Sequence, residues 1–141
     1  MALGARAASA DALEQAYRSV VQNLNGTDRA LIVAERGREV VGMAQLARST
    51  ADNARHRAEV QRVAVAADAR GSGVGRLVME AVAEEARKRG LTLLWLTTHA
   101  DTDACAFYEA VGYTQLGVMP SYSARPDGEL APGAFYYREL T

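Results

Sequence analysis

The sequence predicts a single α/β domain with a mixed, mostly antiparallel sheet whose middle is a parallel βαβ unit. Three observations predict it. First, a short apolar run, a glycine-rich turn, an amphipathic stretch and a second apolar run follow one another between Glu59 and Leu96. A strand, crossover helix and strand in one sheet wind right-handed and leave the two strands parallel. Second, two apolar runs flank the polar turn Glu35-Arg36-Gly37-Arg38, as in a hairpin. Third, the length of 141 residues fits one domain around one core.

Residues 9–24 carry Leu13, Ala16, Tyr17, Val20, Val21 and Leu24 at helical spacing, with Asp11 as a cap and Asn25-Gly26 as a stop. Ala30–Ala34 and Val40–Leu46 are the strands of the hairpin, and residues 48–57 read as a loop. Glu59–Ala66 is a third strand, with Val60, Val63 and Val65 as apolar positions. After the turn Arg70-Gly71-Ser72-Gly73-Val74-Gly75, a helix follows with Leu77, Val78, Ala81, Val82 and Glu85 along one face, and Gly90 ends it. Leu93–Leu96 is the second parallel strand. Asp101 or Thr102 can cap a further helix through Ala104, Phe107, Tyr108 and Val111, stopped by Gly112. Tyr113–Met119 reads as a strand, Pro120–Gly133 as a long loop, and Ala134–Leu140 as a closing strand. No repeat or linker divides residues 1–141.

Composition narrows the function. Nearly half the residues, 49%, are apolar and 23% are charged, as in ordinary globular proteins. A formal net charge of -1 lacks the basic excess of a nucleic-acid binder. The cluster Arg87-Lys88-Arg89 falls at a helix end, where cations suit the dipole. No apolar run approaches the roughly 18 residues of a membrane span. Met1-Ala2-Leu3-Gly4 does not resemble a signal peptide, so a cytoplasmic protein is expected. One cysteine, Cys105, and two histidines provide neither a disulfide nor a metal-ligand pattern.

The glycine turn carries the chemistry. Arg70 and Arg76 flank three glycines that open a helix. First-turn amides of a helix have no internal partners and point at any anion placed there, and glycines let the backbone approach a phosphate. On these residues the turn is either a diphosphate cradle or simply a tight strand-to-helix turn. A nucleotide P-loop is excluded, because Gly75 is followed by Arg76-Leu77 rather than Lys-Ser/Thr. The dinucleotide fingerprint is excluded too, because the glycines fall at relative positions 1, 3 and 5 rather than 1, 3 and 6.

What remains is Arg/Gln-x-x-Gly-x-Gly/Ala after a strand, and Arg70–Gly75 match it. This resembles the acyl-CoA signature of the GNAT superfamily of N-acetyltransferases. Phe107-Tyr108-Glu109-Ala110-Val111-Gly112-Tyr113 is similar to the family's second signature, and the two come in the family's order. Arg57–Gln61, Pro126-Asp127-Gly128 and the ending Phe135–Leu140 further resemble the tabtoxin-resistance branch, which acetylates an amino-acid toxin.

The resemblance implies the GNAT acyl-CoA N-acyltransferase fold and acetyl-CoA as co-substrate. It implies that Val63, Ala64 and Val65 hold the pantetheine arm through their backbone, like an added strand. The amides of Arg70, Gly71, Ser72, Gly73, Val74, Gly75 and Arg76 would hold the diphosphate, with Asp101 and Phe107 beside the cofactor arm. An amide of Val63 or Val65 would polarise the thioester carbonyl. Tyr108 takes the place of the acid that protonates the leaving thiolate, a task suited to a phenol that stays protonated at neutral pH. Glu59 is the candidate base. A carboxylate is a weak base for an ammonium, so it needs burial or a water relay. On residues alone, Tyr108 could instead pack beside Phe107, and Glu59 could pair with Arg57 or Arg62.

Thr97 stands where the tabtoxin-resistance enzymes carry an aspartate, and Asp101 stands where the family usually has asparagine. His99 is a second candidate base or substrate ligand. Tyr122, Arg125 and Asp127 are candidates for an acceptor site. The expected acceptor is the amine of a small molecule, such as an amino-acid-like toxin or antibiotic. The alternatives are a peptide or lysine acetyltransferase, disfavoured by the long Pro120–Gly133 loop, and a CoA-binding domain without catalysis. Family members carry a strand and a helix before the region of residues 9–24, and this chain is expected to lack or shorten them. Uncovered sheet edges tend to pair, so a homodimer is expected.

Overall fold

The structure is a computed structural model that describes residues 28–141. The expected helix over residues 9–24, and the expectation of a shortened N-terminus, lie outside the described residues. The described chain runs β1 (Arg29–Arg36), β2 (Glu39–Arg48), β3 (Arg57–Val65), α1 (Val74–Lys88), β4 (Leu93–His99), α2 (Asp103–Ala110), β5 (Thr114–Ala124) and β6 (Leu130–Glu139). Six strands form one sheet in the order β1-β2-β3-β4-β6-β5. β3 and β4 are parallel, and every other neighbouring pair is antiparallel.

The βαβ unit forms as its sequence dictates. α1 buries Val78, Met79, Val82, Ala83 and Ala86 against the sheet. Each large aliphatic side chain so buried contributes roughly 1.5–3 kcal/mol. Its end is a glycine-dependent closure: Gly90, at φ 76°, lets the Leu91 amide reach the Ala86 carbonyl at 2.9 Å and its own amide reach the Arg87 carbonyl at 3.0 Å. Gly42 of β2 lies under the start of this helix. A Cβ there would stand 2.7 Å from Val74 Cγ1 and 2.9 Å from Val78 Cγ2.

The site is made by a break in the sheet. β3 and β4 share three ladder pairs, Arg57↔Leu93, Ala58↔Leu94 and Glu59↔Trp95. Beyond Glu59 no pair joins them, although β3 runs on to Val65 and β4 to His99. Their outer neighbours stay paired, to Gly42↔Val65 on one side and His99↔Gly133 on the other. The two halves of the sheet therefore splay apart. A bulge accounts for the bend: Met43 pairs with Ala64 and Gln45 with Gln61, so Arg62 and Val63 together oppose Ala44. Arg62 takes a left-handed φ of 54°, and a two-against-one bulge kinks its strand.

One expected element is corrected. Pro120–Gly133 is not a long loop: β5 continues through Pro120 to Ala124, β6 begins at Leu130, and residues 125–129 form the turn. Pro120 is tolerated because β5 is the outer strand, where a missing N–H breaks no required ladder bond. The extension is held by the Tyr122 ring edge-on to Phe135 at 5.1 Å. Gly133 makes room for it, since a Cβ there would lie 2.6 Å from Tyr122 Cδ2. Among the described residues, no helix is long and apolar enough to cross a membrane, and no cluster of potential metal ligands occurs.

Candidate active site

Two cavities lie along β3. The first, about 380 Å³, sits at the N-terminus of α1 and is lined by Val65, Arg70, Gly71, Gly73, Gly75, Arg76, Asp103 and Phe107 among others. Gly71 and Gly73 have φ of 79° and 89°, and a Cβ at either would meet nothing within 4 Å. These glycines serve the backbone's left-handed turn, and the space over them is open. The first bond within α1 runs from the Leu77 amide to the Gly73 carbonyl at 3.1 Å. The amides of Val74, Gly75 and Arg76 thus precede the helical ladder and face outward with the positive end of the dipole. Two exposed guanidiniums, Arg70 and Arg76, flank them. Amides, dipole and cations together suit a diphosphate.

The second cavity, about 250 Å³, fills the gap between the splayed strands. Glu59, Gln61, Arg62 and Val63 of β3 line one side, and Thr97, Thr98 and His99 of β4 line the other. Tyr108 of α2 and Tyr122 and Ser123 of β5 complete it. Between the cavities, Val63, Ala64 and Val65 are buried through their side chains, and β3's edge toward β4 carries no ladder partner. A linear amide could lie there as an added strand.

Glu59 and Tyr108 are brought together at this gap. Glu59 is half-buried and accepts a hydrogen bond from Gln61 Nε2 at 2.8 Å, so its partner is neither Arg57 nor Arg62. Tyr108 is 3% exposed. Its ring stands edge-on to Phe107 at 5.3 Å and packs with Tyr113 and Tyr136, each at 6.2 Å. Tyr136, behind it, donates to Glu109 Oε2 at 2.7 Å. Burial, reinforced by hydrogen bonds to Cys105 and Glu109, pushes the Tyr136 phenol well above its ordinary range. Tyr113 is also pushed up, by burial, against a smaller pull from Arg138.

The other expected site residues divide. Val63, Thr97, His99 and Tyr122 line the acyl-side cavity, and Val65, Arg70, Gly71, Gly73, Gly75, Arg76 and Phe107 line the cradle. Ser72 and Val74 line neither: the Ser72 hydroxyl closes the turn onto the Ala69 carbonyl, and Val74 packs over Gly42. Asp101 lies outside both cavities in a left-handed turn at φ 60°, and Thr102 rather than Asp101 precedes α2 as its N-cap. Arg125 and Asp127 sit in the exposed β5–β6 turn, where Asp127 Oδ1 accepts from the Glu129 amide at 2.9 Å. Gln61 and Thr98 were missed. Gln61 carried one signal, since residues two apart on a strand share a face with Glu59. Thr98, 7% exposed with a buried Oγ1 that finds no partner, carried none.

The chain is similar to known acetyltransferases. Residues 5–113 match the model of the acetyltransferase (GNAT) family. The [ribosomal protein bS18]-alanine N-acetyltransferase of Escherichia coli strain K12 is 34% identical over 67 residues, covering 47% of this chain and 45% of that protein. The chain thus matches under half the length of that relative. The IAA acetyltransferase of Azospirillum brasilense is 33% identical over 107 residues, covering 75% of this chain and 68% of that protein. Among solved structures, a ribosomal-protein-alanine N-acetyltransferase from Brucella melitensis superposes with a TM-score of 0.78 at 28% identity, over 89% of this chain and 78% of that one. The Salmonella typhimurium protein yncA, solved with its cofactor acetyl-CoA, superposes with a TM-score of 0.75 at 21% identity, over 92% and 73%, and shares the fold.

Proposed function

The chain belongs to the acetyltransferase (GNAT) family, and on that premise we propose that it moves the acetyl group of acetyl-CoA directly onto a primary amine, with Glu59 as base and Tyr108 as acid. One observation carries this: Glu59 and Tyr108 line the same gap between β3 and β4, and the helix-N-terminal cradle opens at the other end of Val63–Val65. A cofactor with its diphosphate on the amides of Val74, Gly75 and Arg76 would run its pantetheine arm along that unpaired edge. Its thioester would then reach the gap.

The steps balance. Glu59, directly or through a water, takes a proton from the ammonium. The amine nitrogen attacks the thioester carbonyl, and the amide of Val63 or Val65 stabilises the oxyanion. The carbon–sulfur bond breaks as the amide forms. Tyr108 gives its proton to the departing thiolate and is reprotonated, through water, by the second proton the nitrogen sheds as the amide forms; free CoA thiol and the acetylated amine result, and the proton on Glu59 passes to solvent.

The acceptor reading is an amine on a small, amino-acid-sized group. The cavity is about 250 Å³ with Tyr122 in its lining, which supports such a group. A small-molecule amine, a toxin or antibiotic among them, is the first reading. The IAA acetyltransferase relative leaves the acceptor class open. The tabtoxin-like segment Pro126-Asp127-Gly128 adds little, because it sits in the exposed turn. A second reading, the terminal amine of a protein, is favoured by similarity to the ribosomal-protein-alanine enzymes. The short residue 125–129 turn also removes the long loop that would have narrowed a peptide groove. Homodimerisation would use the outer strand β5, which has no charged residue and leaves Leu116 73% and Val118 53% exposed. Sedimentation as a monomer would exclude that.

The test is thiol release from acetyl-CoA against amino-acid-like amines, aminoacyl β-lactams and peptides starting with alanine, alongside Tyr108→Phe and Glu59→Gln. Turnover on any of them, lost in both variants, is the expected result. CoA binding without turnover on any amine would leave a binding domain and defeat the proposal.

A further inference from the structure

We propose that Gln61 is a positioning residue that holds the Glu59 carboxylate toward the acceptor amine. The inference rests on Glu59 being the base.

Glu59 and Gln61 are two apart on β3, so their side chains leave the same face. Gln61 Nε2 donates to Glu59 Oε1 at 2.8 Å, and both residues line the gap between β3 and β4. Gln61 is also the last β3 residue in regular register before the Arg62–Val63 bulge. The hydrogen bond therefore ties the carboxylate to the point where β3 begins to lean away from β4.

The positions across the ladder offer Glu59 no rival partner. Gln61 faces Gln45 of β2, and Glu59 faces Ala47. Opposed side chains on an antiparallel pair have Cβ atoms about 4.5–5.5 Å apart. Gln45 is 1% exposed, and its Nε2 is buried with no acceptor. The contact the structure shows is the one between Gln61 and Glu59. Small Ala47 behind Glu59 offers no competing polar contact. A neutral amide is fitted to this task. It fixes the carboxylate's rotamer while leaving the full negative charge for the amine, whereas an arginine in its place would neutralise that charge.

A purely structural glutamine and a positioning one differ in how they couple to Glu59. The experiment compares kcat and KM, with acetyl-CoA and the panel amine of highest turnover, for Gln61→Leu, Gln61→Met, Glu59→Gln and the double variant Glu59→Gln/Gln61→Leu. Gln61→Met keeps the length of the side chain should Gln61→Leu fold poorly. The expected result is a fall in kcat of about tenfold in either Gln61 variant, with KM for acetyl-CoA within about twofold. On the residual turnover that Glu59→Gln retains, Gln61→Leu costs nothing further. An independent readout needs no acceptor: the Gln61 side-chain amide resonances, assigned by their loss in Gln61→Met, are expected to shift in Glu59→Ala. Unchanged kcat in Gln61→Met, an equal loss in both backgrounds, or unmoved amide resonances would overturn the inference while leaving Glu59 as base. Full activity in Glu59→Gln would overturn the base assignment itself, and this inference with it.

Discussion

The backbone amide of Tyr113 donates to the carbonyl of Tyr108 at 3.0 Å, and their rings meet edge-on at 6.2 Å. Together with the Gly112 amide on the Glu109 carbonyl at 3.2 Å, this is the glycine closure that ends many helices, with its usual apolar contact between the flanking residues. The Tyr-Glu-x-x-Gly-Tyr pattern is thus a device for fixing the last turn of α2, on which the proposed acid sits. Gly112 has φ 102°, and a Cβ there would make only ordinary contact with Arg138 at 3.5 Å. Gly112→Ala is therefore expected to cost about 1–2 kcal/mol through the left-handed backbone alone. Because the strain falls on the turn that aims Tyr108, kcat is expected to drop several-fold at temperatures where the variant is fully folded. Circular dichroism melts and steady-state kinetics on the same sample check both.

Removing the Tyr108 hydroxyl leaves the ring contacts with Phe107, Tyr113 and Tyr136 in place. Tyr108→Phe is expected to fold normally and lose kcat by about 10²-fold, the lower range for a positioned general acid. KM for acetyl-CoA should stay within a few-fold. A kcat within twofold of the parent would remove Tyr108 from the chemistry.

The helix α1 and its stop at Gly90 were legible because their causes are local: apolar residues at 3–4 spacing and a glycine where the chain must turn left-handed. The glycine turn before α1 was legible for the same reason. The gap between β3 and β4 was not. It depends on the bulge at Arg62, and arginine carries no mark of a left-handed backbone as glycine would. Nor was the reach of β5 through Pro120. That depends on pairing with β6 and on Tyr122 lying across Gly133, contacts between residues 11 positions apart that no local pattern announces. Glu59 and Tyr108 could be named from motifs, but Gln61, which touches Glu59, stood in the same strand unnoticed because its partner is set by side-chain geometry.

Gly42 offers a test of the cradle from below. A methyl group at this position would overlap Val74 Cγ1 and Val78 Cγ2, at 2.7 and 2.9 Å. Val74 is the first residue of α1 and follows directly on the glycine turn. Gly42→Ala must push the helix start away from β2, at a cost of about 1–3 kcal/mol. The orphan amides move with it. CoA affinity by calorimetry is expected to weaken several-fold, while kcat at saturating acetyl-CoA changes little. Unaltered affinity would mean that the helix N-terminus does not hold the diphosphate.

Alkaline stability follows from the two raised tyrosines. In the unfolded chain Tyr113 and Tyr136 ionise near pH ~10. In the folded chain burial keeps both protonated well beyond that. Above about pH 10 the unfolded state therefore binds fewer protons than the native one, and stability falls as pH rises. Below that pH their contribution is fully present. Tyr113→Phe removes one of the two groups, together with a buried hydroxyl that has no partner. Its Tm at pH 7 is expected to equal or exceed the parent's, since an unsatisfied buried donor costs about 1–3 kcal/mol. Its decline from about pH 9 to 11 should be shallower. Tyr136→Phe breaks the 2.7 Å bond to Glu109, so it should show the same shallower decline from a lower starting Tm. Melting curves of the three proteins across this range decide the matter: parallel declines would mean that neither phenol is held neutral by the fold.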